Sequence, residues 1–304
     1  MKNVVSSAHI KESNIQCCVC GSTEVKFFTR KESCDLYKCK QCGFIFVYPA
    51  PGSVSHIYSE DYFSGAKGGS GYIDYEKDKE AMRDTIEIYL DEIEKLMPTR
   101  GKLFDIGAAT GTFLEAASRR GWQVSGVEIS DYAASKAREK NLNVQTGLLE
   151  NLEFKEAPFD VITMWDVLEH LPNPESTLKS INKLMKPKGL IAINTPNAGS
   201  LFARVMGKYW HLIVPPEHLS YFSVANLTKL LEKTDMHVRR ATCLGKKFTP
   251  QYILRMLAVW HKFSGWRWLA DRIQNTFLGR IAISINLHDN LFLIAEKRSD
   301  IPRG

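Results

Sequence analysis

The sequence predicts an α/β fold, in which a doubly wound parallel sheet follows a small N-terminal cysteine module and carries a helical insert or cap. Two observations support this fold class. Beyond residue 100, short apolar runs alternate with helical patterns, which is typical of a parallel sheet covered by helices on both faces. Six of the seven cysteines lie within residues 17–42. The 304-residue length suffices for this module and one larger domain.

The predicted elements follow one another with short connections. The strands are expected at 103–106, 123–128, 159–165 and 189–195, with two late strands at 237–244 and 290–296. The helices are expected at 76–96, 111–120, 131–140, 175–186 and 223–234. Prolines and a glycine at 49–52 mark a boundary. We therefore divide the chain into a cysteine module (1–50), a loop and lid helix (51–98) and a main domain (99–304), with cap insertions at about 197–222 and 246–280.

The cysteines form two knuckles with metal-ligand spacing. Cys17 and Cys20 form the first pair and Cys39 and Cys42 the second, with eighteen residues between the pairs. This spacing predicts a structural site in which four thiolates hold one zinc ion. A disulfide cluster is the alternative, which the lack of an apolar signal segment disfavours. With no apolar run of about 18 residues either, we expect a cytoplasmic protein.

A glycine loop connects the first strand of the main domain to its helix. Gly107 and Gly111 flank it, with Ala109 between them. Glu128 ends the next strand, where an acidic side chain can accept hydrogen bonds from both hydroxyls of a ribose. An ordinary strand–helix turn is the alternative, but the loop and Glu128 together indicate a nucleoside ligand. The dinucleotide fingerprint is not met, because position 112 is threonine.

Three further segments accompany this loop: residues 159–171 (FDVITMWDVLEHL), 184–190 (LMKPKGL) and 217–223 (EHLSYFS). Together with the glycine loop they resemble S-adenosylmethionine-dependent methyltransferases with a Rossmann-like fold. The segment at 217–223 is similar to one found in methyltransferases of bacterial sugar and polysaccharide gene clusters, and sugar methyltransferases of this kind carry a similar N-terminal zinc-ribbon module. The resemblance extends from about residue 17 to residue 297.

The resemblance implies that S-adenosylmethionine binds along the strand ends. The expected cofactor-binding residues are Asp105, Gly107, Ala109, Gly111, Glu128, Leu148, Leu149, Met164 and Trp165, with Tyr72 and Tyr75 folding over the site from the Gly-rich loop. Methyl transfer to a hydroxyl or an activated carbon also needs a base, and histidine is the usual choice near neutral pH. His218 is the first candidate, with Glu217 and Tyr221 beside it, and His170 is the second. A histidine that only packs is the alternative for both.

These residues favour methyl transfer to a small-molecule or glycan acceptor of the sugar type. An RNA methyltransferase is the alternative, in which the zinc module and the basic C-terminal region grip phosphates. From Arg239 to the C-terminus there are twelve basic and four acidic residues. A zinc-stabilised binding protein that kept the fold and lost the chemistry is a third reading, which the intact set of Asp105, Gly107, Gly111 and Glu128 disfavours. Aromatic and basic residues alternate in 246–280, which indicates a helical cap or, less often, a peripheral membrane contact.

Overall fold

A seven-stranded sheet with helices on both faces forms the centre of the structure. The computed structural model describes residues 15–52, 75–243, 246–248, 250, 254, 264–273, 276, 283–285 and 287–299. The strands are β1 (Val25–Lys31), β2 (Cys34–Cys39), β3 (Ile45–Val47), β4 (Lys102–Ile106), β5 (Gln123–Glu128), β6 (Val144–Thr146), β7 (Phe159–Trp165), β8 (Met185–Pro196), β9 (Ser220–Tyr221), β10 (Met236–Cys243), β11 (Lys246–Phe248), β12 (Ile283–Ile285) and β13 (Asn290–Lys297). The helices are α1 (Tyr75–Leu96), α2 (Thr112–Arg119), α3 (Asp131–Glu139), α4 (Pro174–Leu184), α5 (Leu201–Met206), α6 (Val224–Lys233) and α7 (Ser264–Ile273).

The central sheet has the strand order β6-β5-β4-β7-β8-β13-β10. Strands β4 to β8 run parallel to one another, while β13 is antiparallel to both of its neighbours. This arrangement confirms the predicted α/β class. The strand order reverses between β4 and β7, and open α/β sheets bind their ligands at the carboxyl ends of the strands beside such a switch point.

Most predicted elements of the main domain lie where the sequence pattern indicated. Strands β5 and β7 have the predicted bounds, whereas α4 ends at Leu184 rather than at 186. The reason is that Met185 is extended, with φ −88° and ψ 142°, and that Pro187 disfavours helical geometry at the residue before it. The sequence analysis did not predict β1, β2, β6, β9, β11 and β12, which are short or lie in the module and the insert.

The cysteine module is joined to the main domain by a shared sheet. Strands β1, β2 and β3 form an antiparallel sheet, and β9 of the main domain adds its fourth strand beside β3. One hydrophobic cluster also extends from the module into the layer of α6, with the rings of Phe44 and Phe222 5.1 Å apart. The subdivision at residues 50 and 98 stays a prediction, because these contacts do not fix where a folding unit begins or ends.

Side-chain caps fix where the helices at the site edge begin. Ser130 caps α3 by accepting a hydrogen bond from the amide of Ala133, and Asn173 caps α4 with Pro174 as the first helical residue. Ser223 and Asn226 form a reciprocal capping box at the start of α6. These caps define the ends of the loops that surround the carboxyl edge of the sheet.

Candidate active site

The four cysteines predicted to bind metal converge at one point of the module. The Sγ atoms of Cys17 and Cys42 are 3.6 Å apart, and those of Cys20 and Cys39 are 3.5 Å apart. All four sulfurs lie within 4.8 Å of one another. A tetrahedral zinc ion with bonds of about 2.3 Å needs sulfurs about 3.8 Å apart, so the donor set fits zinc. The four thiols are free of disulfide bonds, as a metal site requires.

The glycine loop between β4 and α2 is built from backbone conformations that favour glycine. Gly107 has a φ of 77° and Gly111 a φ of 79°, and Ala109 between them also has a positive φ of 46°. A Cβ at Gly107 would lie 2.5 Å from Cγ2 of Val167, and a Cβ at Gly111 would lie 2.4 Å from Cδ1 of Leu142. Both glycines are therefore required by conformation and by space, and they bring the loop backbone to the switch point of the sheet.

Glu128 lies at the end of β5 and is tied to this loop. Its Oε2 accepts a hydrogen bond from the amide of Ala109 at 2.8 Å, and its Oε1 accepts one from the amide of Ser130 at 2.9 Å. Burial raises the pKa of Glu128, and the backbone hydrogen bonds oppose that rise. A carboxylate oxygen can accept more than one hydrogen bond, so both oxygens remain able to accept the hydroxyls of a ribose. These acceptor oxygens fit the nucleoside part of the predicted cofactor.

Asp105 is buried next to the same loop, at the end of β4. Burial raises the pKa of its carboxyl to about 8, a hydrogen bond from Thr163 lowers it and the charge of Glu128 raises it further. The hydroxyl of Thr163 donates to Oδ1 of Asp105 at 2.6 Å. A cationic group bound nearby would favour the ionised carboxylate. This environment suits the predicted contact with the amino acid end of the cofactor.

Two predicted leucines follow β6 and differ in exposure. Leu148 is 47% exposed, whereas Leu149 is buried in the same hydrophobic cluster as the end of β7. Gly147 precedes them, and its amide donates to the backbone oxygen of Glu128 at 2.9 Å. The segment is therefore held next to Glu128, where an exposed leucine can pack against a ring.

The predicted residues at the end of β7 point into the layers of the domain. Met164 is fully buried. The ring of Trp165 stacks on Tyr89 of α1, with centroids 4.4 Å apart and an interplanar angle of 4°. Trp165 thus packs against the helix layer, which the sequence did not indicate. Tyr72 lies outside the described residues, and Tyr75 is the first residue of α1, where the described part of the structure does not include its side chain.

His170 and His218 lie together at the carboxyl edge of the sheet. Their rings are 4.9 Å apart and nearly perpendicular, at 73°. Nδ1 of His170 is 2.7 Å from the backbone oxygen of Glu217, and Nδ1 of His218 is 2.9 Å from that of Leu212. A carbonyl oxygen only accepts, so Nδ1 of each ring carries a proton and donates it. The lone pair of each neutral ring is then on Nε2, as a general base requires.

The local environment keeps His170 neutral. Burial lowers the pKa of its imidazole, and the hydrogen bond to the backbone of Glu217 partly offsets this shift. The sequence prediction placed both histidines at the site independently, from two motifs 48 residues apart in the chain. The structure brings them into direct contact.

Glu169 is a third member of this cluster, and the sequence analysis did not single it out. The residue is buried, and one carboxylate oxygen and one nitrogen from each histidine all lie within 4.8 Å of one another. Its Oε2 accepts a hydrogen bond from the hydroxyl of Thr195 at 2.9 Å. Its position directly before His170, in the turn that follows β7, was the signal in the sequence. Such a set could move a proton or hold a divalent cation.

Tyr221 contacts the backbone of His218. Its hydroxyl donates to the backbone oxygen of His218 at 2.8 Å, and its ring centroid is 6.3 Å from that of the imidazole. Burial raises the pKa of Tyr221 well above its ordinary range. Of the two expected roles, orienting His218 or sharing its proton, this contact fits the first, because it is to the main chain. Tyr221 fixes the backbone that carries His218.

The basic surplus of the C-terminal part is partly used inside the domain. Arg239 pairs with Glu296 on the neighbouring strand, and Arg240 pairs with Glu92 of α1. The ammonium group of Lys297 donates to two backbone oxygens at 2.8 and 3.1 Å. These three cations therefore support the fold, and they do not form a surface that is dedicated to phosphate groups.

Much of the basic and aromatic insert at 246–280 lies outside the described residues. In its helix α7, Ala270 is fully buried and Trp268 is 60% exposed. The guanidinium of Arg272 lies over the ring of Trp268, 4.9 Å from the ring centroid. A helix with one buried side and one exposed side agrees with a cap. In the part of the chain that the structure describes, no helix has both the length and the apolar character needed to cross a lipid bilayer.

Comparisons with known proteins agree with this geometry. A methyltransferase domain family matches residues 77–240. A ubiquinone biosynthesis O-methyltransferase of Azoarcus sp. (strain BH72) is 35% identical over 124 residues, which cover 38% of this chain and 53% of that protein. The protein of the same name from Coxiella burnetii (strain Dugway 5J108-111) is 29% identical over 171 residues, or 49% of this chain and 73% of that protein. The first match thus spans about half the length of the relative.

A solved structure shows the same fold at low sequence identity. Magnesium protoporphyrin IX methyltransferase from Synechocystis PCC 6803, with bound SAH, aligns with a TM-score of 0.50 at 13% identity. The alignment covers 80% of this chain and 99% of that one. The family match extends over more than half of the chain and includes the glycine loop, Glu128 and His170. The chain therefore belongs to the methyltransferase domain family.

Proposed function

We propose that this protein transfers a methyl group from S-adenosylmethionine to a hydroxyl group of a small-molecule acceptor. The observation that carries the proposal is the pairing of two sites on one edge of the sheet. The first is the glycine loop with Glu128, which fits a nucleoside. The second is the cluster of Glu169, His170 and His218, which fits a proton acceptor. The names of the O-methyltransferase relatives support oxygen as the acceptor atom.

The residues of the chain have separate tasks in this reaction. Bound S-adenosylmethionine would supply a methyl group on a positively charged sulfur. The acceptor oxygen forms a bond to the methyl carbon, and the electrons of the broken carbon–sulfur bond stay on the sulfur. The chain holds the reactants in line and removes the hydroxyl proton. Nε2 of His218 accepts that proton, because Nδ1 already donates to Leu212. His170 and the carboxylate of Glu169 stabilise the resulting imidazolium by their proximity.

The acceptor is proposed at two levels. A small molecule with a free hydroxyl is the broader class, and a sugar-type or glycan hydroxyl is the finer one, which the motif at 217–223 favours. RNA as the acceptor is not favoured, since Arg239, Arg240 and Lys297 are used within the fold. A salt-dependent RNA affinity that accompanies methyl transfer to RNA would reverse this order.

The proposal is tested with His218→Ala and a matched control, His237→Ala, on the edge strand β10. Methyl transfer is measured with a panel of catechol, sugar-nucleotide and RNA acceptors, and cofactor affinity is measured by calorimetry. We expect His218→Ala to lower kcat by about 10²- to 10⁴-fold, the range for loss of a general base. Cofactor affinity stays within about twofold of wild type, and the control changes neither quantity. Unchanged turnover in His218→Ala would remove His218 as the base.

A further inference from the structure

The segment that carries His218 lies between two structural supports. On one side it contacts the turn of Glu169 and His170, because the amide of Leu219 donates to the backbone oxygen of Glu169 at 2.8 Å and His170 donates to the backbone of Glu217. We call residues 212–222 the histidine segment. Its contacts on this side hold it against the carboxyl edge of the sheet.

On the other side the histidine segment is part of the module's own sheet. Ile45 pairs with Tyr221 and Phe46 with Ser220, as β3 and β9 form an antiparallel pair. The amide of Val47 then donates to the backbone oxygen of Leu219 at 2.9 Å, which extends the pairing. The strand that supports His218 is therefore completed by a strand of the cysteine module.

Two side-chain contacts strengthen this connection. The amide group of Asn226 donates to the backbone oxygen of Cys42 at 2.7 Å, and the ammonium group of Lys31 donates to the backbone oxygen of Ile213 at 2.6 Å. The first contact holds a predicted metal ligand next to the start of α6, and the second holds the histidine segment itself. Both are partly buried, which makes them stronger than comparable bonds in water.

The cysteines lie in the same apolar layer. Cys17 and Cys39 are buried in one hydrophobic cluster with Phe44 and Phe222, and Phe222 ends the histidine segment. The module is too small to keep its fold without a crosslink or a metal, so the geometry of its four sulfurs determines the position of β3. A change at the sulfurs is thereby transmitted to β9 and to the backbone of His218.

We propose that the cysteine module is a positioning element for the proton-accepting histidine. A loosened module lowers turnover by displacing the histidine segment, while cofactor binding at the glycine loop is preserved. The kinetic part of this inference rests on the proposed function, whereas the structural part does not. Asn226 and Lys31 act through His218 as positioning residues, and neither is proposed to touch a substrate.

Asn226→Asp tests the connection without changing a cysteine. The substitution removes the donor to Cys42, and it keeps the Oδ1 atom that accepts from the amide and the hydroxyl of Ser223. The matched control is Lys229→Met, which changes an exposed lysine on the same helix. The bound zinc of each protein is measured, so that an intact module is established.

Amide hydrogen exchange gives the structural readout, and steady-state kinetics give the functional one. We expect Asn226→Asp to raise exchange in residues 212–222 at least threefold, with exchange in the glycine loop at 105–111 unchanged. We also expect kcat to fall about tenfold or more, since small misplacements of catalytic groups are costly, while the cofactor Kd stays within about twofold. Lys229→Met leaves all of these values close to those of wild type.

The inference is overturned if exchange in 212–222 does not change, or if it rises equally at 105–111. It is also overturned if exchange rises while turnover stays normal and His218→Ala is inactive. If His218→Ala keeps its turnover, the proposed base is wrong, and the exchange result still decides the structural part. Lys31→Met gives the same test through Ile213 if Asn226→Asp does not fold.

Discussion

The substitution Glu128→Gln tests the cofactor end of the site most sharply, because it changes one charge and almost no volume. Both carboxylate oxygens of Glu128 accept backbone hydrogen bonds, from Ala109 at 2.8 Å and from Ser130 at 2.9 Å. Glutamine has only one oxygen, so its NH₂ group must face one of these two amide donors. The variant therefore loses one acceptor in the folded protein and one acceptor for the ribose of the ligand.

The expected magnitudes follow from these lost hydrogen bonds. A hydrogen bond to a charged group contributes about 1.5–3 kcal/mol. We expect the free energy of unfolding of Glu128→Gln to fall by about 1.5–3 kcal/mol. The loss of one charged hydrogen bond to the ribose corresponds to a decrease in S-adenosylmethionine affinity of about 10- to 150-fold.

Calorimetry measures the affinity, and urea denaturation measures the stability. The matched control is Glu92→Gln. Glu92 is another buried carboxylate, near the C-terminal end of α1, and it forms ion pairs with Lys95 of the same helix and with Arg240 of β10. The control should lose stability and keep the cofactor Kd within about twofold of wild type. An unchanged Kd in Glu128→Gln, or an equal loss of affinity in both variants, would refute the assignment of Glu128 to the ligand.

Further predictions concern the loop, the buried aspartate and the histidine pair. Gly107→Ala should lower the free energy of unfolding by about 1–2 kcal/mol because of the positive φ, and by a further amount because its Cβ clashes with Val167. Urea denaturation should show that Val167→Ala, added to Gly107→Ala, removes the part caused by the clash. The folded pKa of Asp105 is raised to about 8, so the folded protein keeps a proton that the unfolded chain releases, and stability falls as pH rises from about 4 to 8. In Asp105→Asn this fall, which reaches up to about 6 kcal/mol, should be absent in denaturation curves across that window. Because burial lowers the pKa of His170 below its ordinary value of 6.5, any acid limb of kcat/KM that His170→Asn removes should lie below pH 6.5, and the removal of a limb at pH 7 or above would contradict this shift.

Much of the fold could be predicted from the sequence, because its signals are local. Strand β7 is a mostly apolar run, β5 lies between two helical patterns, and a glycine loop after the first strand of the main domain is readable from spacing alone. The helix α4 was predicted two residues too long, since the apolar period continues to Met185 while Pro187 ends the helical geometry. The two-residue strand β9 could not be predicted, because it exists only by pairing with β3 from the distant module.

The site shows the same division between local and tertiary information. Gly107, Gly111 and Glu128 lie where their motif indicated, and the motifs of His170 and His218 indicate both residues but not their mutual contact. The sequence left two roles open for Tyr221, because proximity along the chain does not distinguish a contact with the ring of His218 from a contact with its backbone.

Two other residues at the site depended on tertiary packing. The ring of Trp165 turned out to stack on Tyr89, which depends on how α1 packs and not on any motif. Glu169 needed the geometry of both histidines before its place in the cluster was visible.

The glycine loop and Glu128 form the expected site for S-adenosylmethionine. Equilibrium calorimetry with S-adenosylmethionine, followed by competition with S-adenosylhomocysteine and with NAD, tests it most directly. We predict one bound S-adenosylmethionine per chain, displaced by S-adenosylhomocysteine and unaffected by an excess of NAD. Tighter binding of NAD, or no binding of S-adenosylmethionine by a folded protein that contains zinc, would contradict the account.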